Sequence, residues 1–224
     1  DYYSIEIKRA NLATLEGDRR FGFIQGDLLD ESVRDRAFAE IPETVVHLAG
    51  RAGVRPSVAD PITYVRNNVE VTTALLERSA RASVPHFLFA SSSSVYGNQH
   101  KVPFSEEDNV DRPISPYAAT KRSCEIIAHA SHHLHRMNVS ALRFFTVYGP
   151  RQRPEMAFSI FARAMLSDSP VTLFGQGTER DYTYIEDIVR GIELVMHKPM
   201  GYSLVNLGNS KPVALDEVVE TLER

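Results

Sequence analysis

Cysteine is nearly missing from this chain. Of 224 residues only Cys124 carries a thiol, so neither an intramolecular disulfide nor a cysteine-based zinc cluster can form, and a reducing cytoplasm fits best. A run of about 18 consecutive apolar residues is also absent, so no membrane partner is expected. No basic block occurs and the net charge is −4, which argues against a nucleic-acid surface. Four histidines crowd one helical stretch, at His129, His132, His133 and His135, but without a matching carboxylate no metal site is expected. The opening Asp1-Tyr2-Tyr3-Ser4 is neither a start methionine nor a signal peptide, and the last helical pattern stops at Arg224 without a cap. The chain therefore reads as an internal piece of a longer protein.

What is present is core-forming material. A hydrophobic fraction of 43% is enough for one large domain or one and a half. Short β-branched and aromatic runs at Phe21 to Gln25, Thr44 to Ala49, His86 to Ser91 and Ser140 to Phe145 alternate with helical patterns. That alternation predicts βαβ units, hence a doubly wound parallel sheet with helices on both faces and ligands at the carboxyl ends of the strands. Beyond Pro150 the pattern changes to a helix at Met156 to Leu166, a strand at Val171 to Phe174, a helix at Ile185 to His197, a strand at Ser203 to Leu207 and a final helix from Leu215. The expected division is a larger α/β domain over residues 1–150 and a smaller C-terminal lobe over 151–224.

The most telling local pattern is Ser115-Pro116-Tyr117-Ala118-Ala119-Thr120-Lys121. Ser115 suits an N-cap and Pro116 the first helical position, so Tyr117 and Lys121 fall one turn apart on one helix face. A phenol is a poor base near neutrality because its reference pKa is about 10. An ammonium ~4 Å away at an effective dielectric of ~20 favours the phenolate by roughly 4 kcal/mol, about three pKa units before desolvation opposes it. Such a pair can move protons. The spacing alone describes a solvated surface pair more often than a proton-moving one, and its context decides between the two.

Eight segments in order supply that context: Asp1-Tyr2-Tyr3; Gly26-Asp27-Leu28; His47-Leu48-Ala49 with Ala52-Gly53-Val54-Arg55; Ser91-Ser92-Ser93-Ser94-Val95-Tyr96-Gly97; Tyr117 with Lys121; Leu142 to Pro150; Arg153-Pro154-Glu155-Met156-Ala157; and Arg180 to Asp187. Together they resemble the extended short-chain dehydrogenase/reductases, the NAD-dependent epimerase/dehydratase family, and within it the UDP-glucuronate 4-epimerases. The resemblance implies a Rossmann-like NAD-binding domain followed by a nucleotide-sugar-binding lobe truncated at its C-terminus.

It also implies a chemistry: oxidation of a UDP-sugar at C4, turnover of the 4-keto intermediate and reduction on its other face. Tyr117 would be the base, Lys121 would lower its pKa and bind the nicotinamide ribose, and Ser92 would bridge substrate and tyrosine, with Ser94 the second hydroxyl. Asp27 and Leu28 would border adenine, while Leu48, Ala49 and Gly50 would pass under the ribose and pyrophosphate. Gly50 replaces the family's more usual alanine, which reads as a mild change. Ser93, Ser94, Thr146 and Arg153, with Arg55 a further candidate, would restrain the uronate carboxylate, because a 4-keto uronate is a β-keto acid prone to lose carbon dioxide. Arg180 would hold the UDP pyrophosphate and Phe174 pack on uracil. A surface salt bridge remains the alternative for each arginine, and a core aromatic for Phe174. His47 reads as a core histidine and Asn68 as a buried anchor. Relatives commonly dimerise through the tyrosine helix and the one before it, so a homodimer is expected.

Two departures matter. Dehydratases of the family carry an acidic pair at the strand-end motif, where this chain has only hydroxyls. The family also opens with a glycine-rich strand-to-helix turn that holds the NAD pyrophosphate, and no such turn occurs in these residues. A UDP-uronate decarboxylase, another sugar-nucleotide 4-epimerase and a non-catalytic dinucleotide sensor or scaffold are the competing readings. The 224 residues by themselves are expected to bind NAD poorly, and titration of NAD into the isolated chain checks this: saturation at micromolar cofactor would refute it.

Overall fold

The computed structural model describes residues 2–171, 173 and 177–223. Among them, four parallel strands form one sheet in the order β1 (Thr44–His47), β2 (His86–Ser92), β3 (Asn138–Phe144), β6 (Tyr202–Leu207). Alternation along β2 and β3 sends Phe87, Phe89, Val139 and Ala141 to one face, where they pack with Leu75 and Leu76 of helix α5 (Val71–Arg81) and with Cys124 and Ala128 of α6 (Pro116–His135). Leu88 and Leu142 face the other way, against Ile192, Val195 and Met196 of α8 (Ile185–Met196). Apolar side chains on both faces are what a parallel sheet requires, and the α/β class expected from the sequence is the class observed.

Helix α6 begins as its sequence dictates. Ser115 is the N-cap, its hydroxyl accepting from Ala118 N at 3.1 Å, Pro116 takes the first position, and the helix ends on Arg136 in the left-handed region. Ahead of α5, residues Val65–Glu70 form a π-helical turn that follows the short helices α3 (Val54–Ala59) and α4 (Pro61–Tyr64). That turn directs Asn68 inward, where it is 1% exposed.

Residues Phe21–Gln25 differ from the expected buried strand. They are irregular, with Phe23 57% and Ile24 43% exposed. A strand is stable only with a ladder partner and a covered face, and among the described residues the outer edge of β1 pairs with no further strand. The β-forming composition of Phe21–Gln25 thus finds nothing to pair with.

The chain divides into two compact units, one comprising Phe23–Phe144 and Arg190–Leu207, the other Asp1–Gly22, Phe145–Val189 and Gly208–Arg224. These units interleave along the chain, and strand β6 belongs with the large sheet because it completes the ladder beside β3. The second unit contains helix α1 (Ile5–Ala13), α7 (Ala157–Leu166), α9 (Leu215–Glu223) and strands β4 (Thr146–Tyr148), β5 (Glu179–Tyr184) and β7 (Pro212–Ala214). β4 and β5 pair parallel, β5 and β7 antiparallel. Tyr148 stacks on Phe158 at 4.9 Å, and Phe158 meets the edge of Tyr182 at 5.1 Å. Of the strand expected at Val171 to Phe174, residues 172 and 174 lie outside the described residues.

Phe87 is fully buried in the larger core. Phe87→Ala should lower unfolding free energy by about 3–5 kcal/mol, measured by urea denaturation.

Candidate active site

Strand β2 ends at Ser92, and Ser93–Tyr96 follow as a 3-10 turn. The Ser92 hydroxyl oxygen accepts the Ser94 N–H at 3.1 Å, which leaves its own proton to donate. Gly97 closes the turn at φ +63°, where a Cβ would stand 2.9 Å from the Arg112 carbonyl oxygen, so only glycine fits without a shift.

The first two turns of α6 lie beside this strand end. Lys121 is 7% exposed, and its Nζ donates to the Ala90 carbonyl at 2.7 Å, two residues before Ser92. The same Nζ lies 6.0 Å from the centre of the Tyr117 ring, so phenol and amine share a face as the four-residue spacing requires. Burial pushes the Lys121 amine below its ordinary range. Tyr117 is half-buried; its backbone N–H donates to Ser57 Oγ at 3.1 Å, and its ring meets the edge of Tyr64 at 6.2 Å. Ser57 and Tyr64 hold the tyrosine in place, and neither carried any signal in the sequence.

Behind the lysine, Asn68 ties three segments together. Its amide bonds both the N–H and the carbonyl of Arg51, at 2.7 and 3.0 Å, and Thr120 Oγ1 at 3.0 Å. The buried anchoring role expected of Asn68 is the one observed. Gly50 precedes this contact at φ +152°, and a Cβ there would come within 2.9 Å of Asn68 Oδ1. The expected mildness of glycine in place of alanine is therefore corrected: this backbone and this neighbour favour glycine.

Leu48, Ala49 and Gly50 are exposed just beyond the end of β1. Asp27 is exposed and accepts Leu29 N at 2.9 Å, while Leu28 is half-buried against the core below α2 (Glu31–Ala37). Arg55 is exposed on α3. Ser93 and Ser94 are half-buried. The remaining candidates belong to the second unit. There Thr146 opens β4, Arg153 bonds Glu155 at 3.1 Å and lies over the Tyr2 ring at 5.3 Å, and Arg180 is exposed on β5. Phe174 lies outside the described residues. Among the described residues no group of three or more His, Cys, Asp or Glu is arranged to hold a metal ion.

A dinucleotide fits part of this arrangement. The Lys121 ammonium has three protons and a single described acceptor, the Ala90 carbonyl, so it can still donate to ribose hydroxyls. The exposed segment after β1 offers backbone at the strand ends, where such ligands bind in open parallel sheets.

A half-buried tyrosine, a buried lysine and a serine turn at the carboxyl end of a parallel sheet bring together a phenol, an ammonium and hydroxyls, groups that can exchange protons with an alcohol. The family model described as NAD dependent epimerase/dehydratase family matches residues 4–208. A UDP-glucuronate 4-epimerase from Thermodesulfobacterium geofontis is 40% identical across all of this chain and 70% of its own length. UDP-glucuronate 4-epimerase 3 of Arabidopsis thaliana is 42% identical, with 56% of its length covered. Among solved structures, UDP-glucuronic acid 4-epimerase from Bacillus cereus in complex with UDP-glucuronic acid and NAD superposes with a TM-score of 0.91 at 37% identity, over 99% of this chain and 71% of that one. The chain belongs to the NAD-dependent epimerase/dehydratase family.

His47 is buried, hydrogen-bonded to Thr72 at 3.0 Å, and lowered to about 4, first by burial and then by the charge of Lys121. The unfolded chain then binds the proton that the folded one refuses, so stability is intact above about pH 6.5 and falls as pH drops toward 4. The fall attributable to this group is about 3 kcal/mol. Urea denaturation across that pH range should show a shallower slope in His47→Gln.

Proposed function

We propose that the protein is an NAD-dependent 4-epimerase of a UDP-sugar, converting UDP-glucuronate to UDP-galacturonate through a 4-keto intermediate. The observation that carries this reading is the buried Lys121, one turn from Tyr117 and docked by its ammonium on the strand that ends in Ser92. Relatives bearing that activity by name match the chain from end to end.

Tyr117 takes the proton of the 4-hydroxyl and later returns it. Lys121 favours the phenolate by its charge and holds the nicotinamide ribose, with Asp27, Leu28, Leu48, Ala49 and Gly50 along the cofactor's remaining length. NAD, when bound, supplies the hydride acceptor and donor, so there is no net redox change. Ser92 donates its free proton to the reacting oxygen, and Ser94 is the second hydroxyl. Ser93, Thr146, Arg153 and Arg55 are assigned to the uronate carboxylate, Arg180 to the pyrophosphate and Phe174 to uracil. The cytoplasm is the proposed compartment and a homodimer through α5 and α6 the proposed assembly. Exposed Ile126 and Leu134 on α6 support that face, and no described helix is long and apolar enough to cross a membrane.

Elimination of water is disfavoured by the same strand end. Residues 91–94 are all serine, and among the described residues the carboxylate bonded to them, Glu125, is paired with Arg143.

Full-length protein with NAD and UDP-glucuronate should yield UDP-galacturonate, resolved by chromatography and proton NMR; a UDP-pentose product would instead identify a decarboxylase. Tyr117→Phe should retain the wild-type circular dichroism spectrum and lose at least about 1,000-fold in kcat. Undiminished turnover would remove the tyrosine from the chemistry.

A further inference from the structure

One turn beyond Lys121, α6 carries Glu125, whose side chain is fully buried. Arg143 of β3, equally buried, meets it with two parallel bonds, Nε to Oε1 at 2.9 Å and Nη2 to Oε2 at 3.0 Å. The Glu125 carboxylate also accepts Ser91 Oγ at 2.6 Å and Arg122 Nη1 at 3.2 Å. From the other side of the guanidinium, Nη1 donates to the Tyr96 hydroxyl at 2.9 Å, and that hydroxyl donates to Asn206 Oδ1 at 2.7 Å. Burial opposes the Arg143 charge, yet the carboxylate outweighs burial and the guanidinium is held above its ordinary range.

The register shows what this network joins. Ser91, Arg143 and Asn206 are direct neighbours across β2, β3 and β6. Their row crosses the sheet one residue before Ser92, while Tyr96 is the last residue of the serine turn and Glu125 continues the helix stripe of Tyr117 and Lys121. The guanidinium therefore touches, at once, the helix that carries the tyrosine and the turn that carries Ser92 and Ser94. We propose that Arg143 and Glu125 are positioning residues that fix the serine turn against the first turns of α6 and so set the geometry between Ser92 and Tyr117.

A pair used only for stability is replaceable. Two buried charges exchanged together for neutral groups of similar volume commonly leave a fold intact, whereas removal of one strands the other. A pair used for positioning cannot be so replaced, because the bidentate fork and the bond to Tyr96 disappear with it. This inference rests on the epimerase reading for its kinetic arm and is independent of it for its structural arm.

The test is the double variant Glu125→Gln/Arg143→Met in the full-length protein, beside Arg143→Lys and wild type. The double variant should keep wild-type circular dichroism and cooperative thermal unfolding while kcat falls on the order of 100-fold and KM for the UDP-sugar stays within about threefold. Arg143→Lys, which keeps the charge and loses the fork, should recover part of that loss. Amide hydrogen exchange in the cofactor-free protein should accelerate about tenfold or more at Ser94 and Gly97, with Phe87 and Phe89 of β2 unchanged. A double variant with wild-type kcat and wild-type exchange at the turn would overturn the proposal. So would uniform acceleration across the sheet with activity lost only in proportion to unfolding. If the wild type fails to epimerise any UDP-sugar, the functional reading falls, and turn-selective exchange still decides for or against the clamp.

Discussion

An ammonium buried without a carboxylate is the constraint around which this site is arranged. Lys121 is nearly sealed from water, and among the described residues its charge meets a carbonyl dipole, that of Ala90, with no acidic partner. A buried cation in that condition is costly, as the downward push on its pKa records, and the cost is relieved by any anion forming nearby. Tyr117, one turn away, is the group that can become one. Desolvation disfavours the lysine's charge in the resting protein, and the Coulomb attraction to a phenolate would offset that cost.

The neighbouring turn of the helix shows the opposite arrangement. Lys121 and Glu125 are four residues apart, a spacing at which an amine and a carboxylate on a helix ordinarily pair. Here the carboxylate is taken by Arg143, Arg122 and Ser91, and the amine by Ala90. Since the guanidinium offers a planar fork and the ammonium a point charge, the bidentate partner claims the carboxylate. The amine is left to the phenol.

How far this was legible in the chain depends on the range of the interaction. Strands His86–Ser92 and Asn138–Phe144 were readable because apolar residues on both faces mark a central parallel strand, and α6 because its cap and proline are local signals. Phe21–Gln25 misled for the complementary reason, since its composition is that of a strand while its pairing depends on partners that composition does not show. Tyr117 and Lys121 stood out by their cap and spacing only together with the motifs around them. Ser57, Tyr64 and the pair Glu125 and Arg143 did not, because each works through contacts made far along the chain, which exist only once the sheet register is set.

That register also explains why a run of four serines is a rigid feature rather than a loose linker. Ser91 is spent on Glu125, Ser92 caps the backbone of Ser94, and Tyr96 is pinned between Arg143 and Asn206 while stacking on Phe104 at 4.5 Å. A short polar segment ordinarily pays for order with lost entropy and gains little from it. Here the side-chain bonds of Ser91 and Tyr96 end on α6, β3 and β6, elements fixed by the core, so the serine that remains able to donate does so from a fixed place.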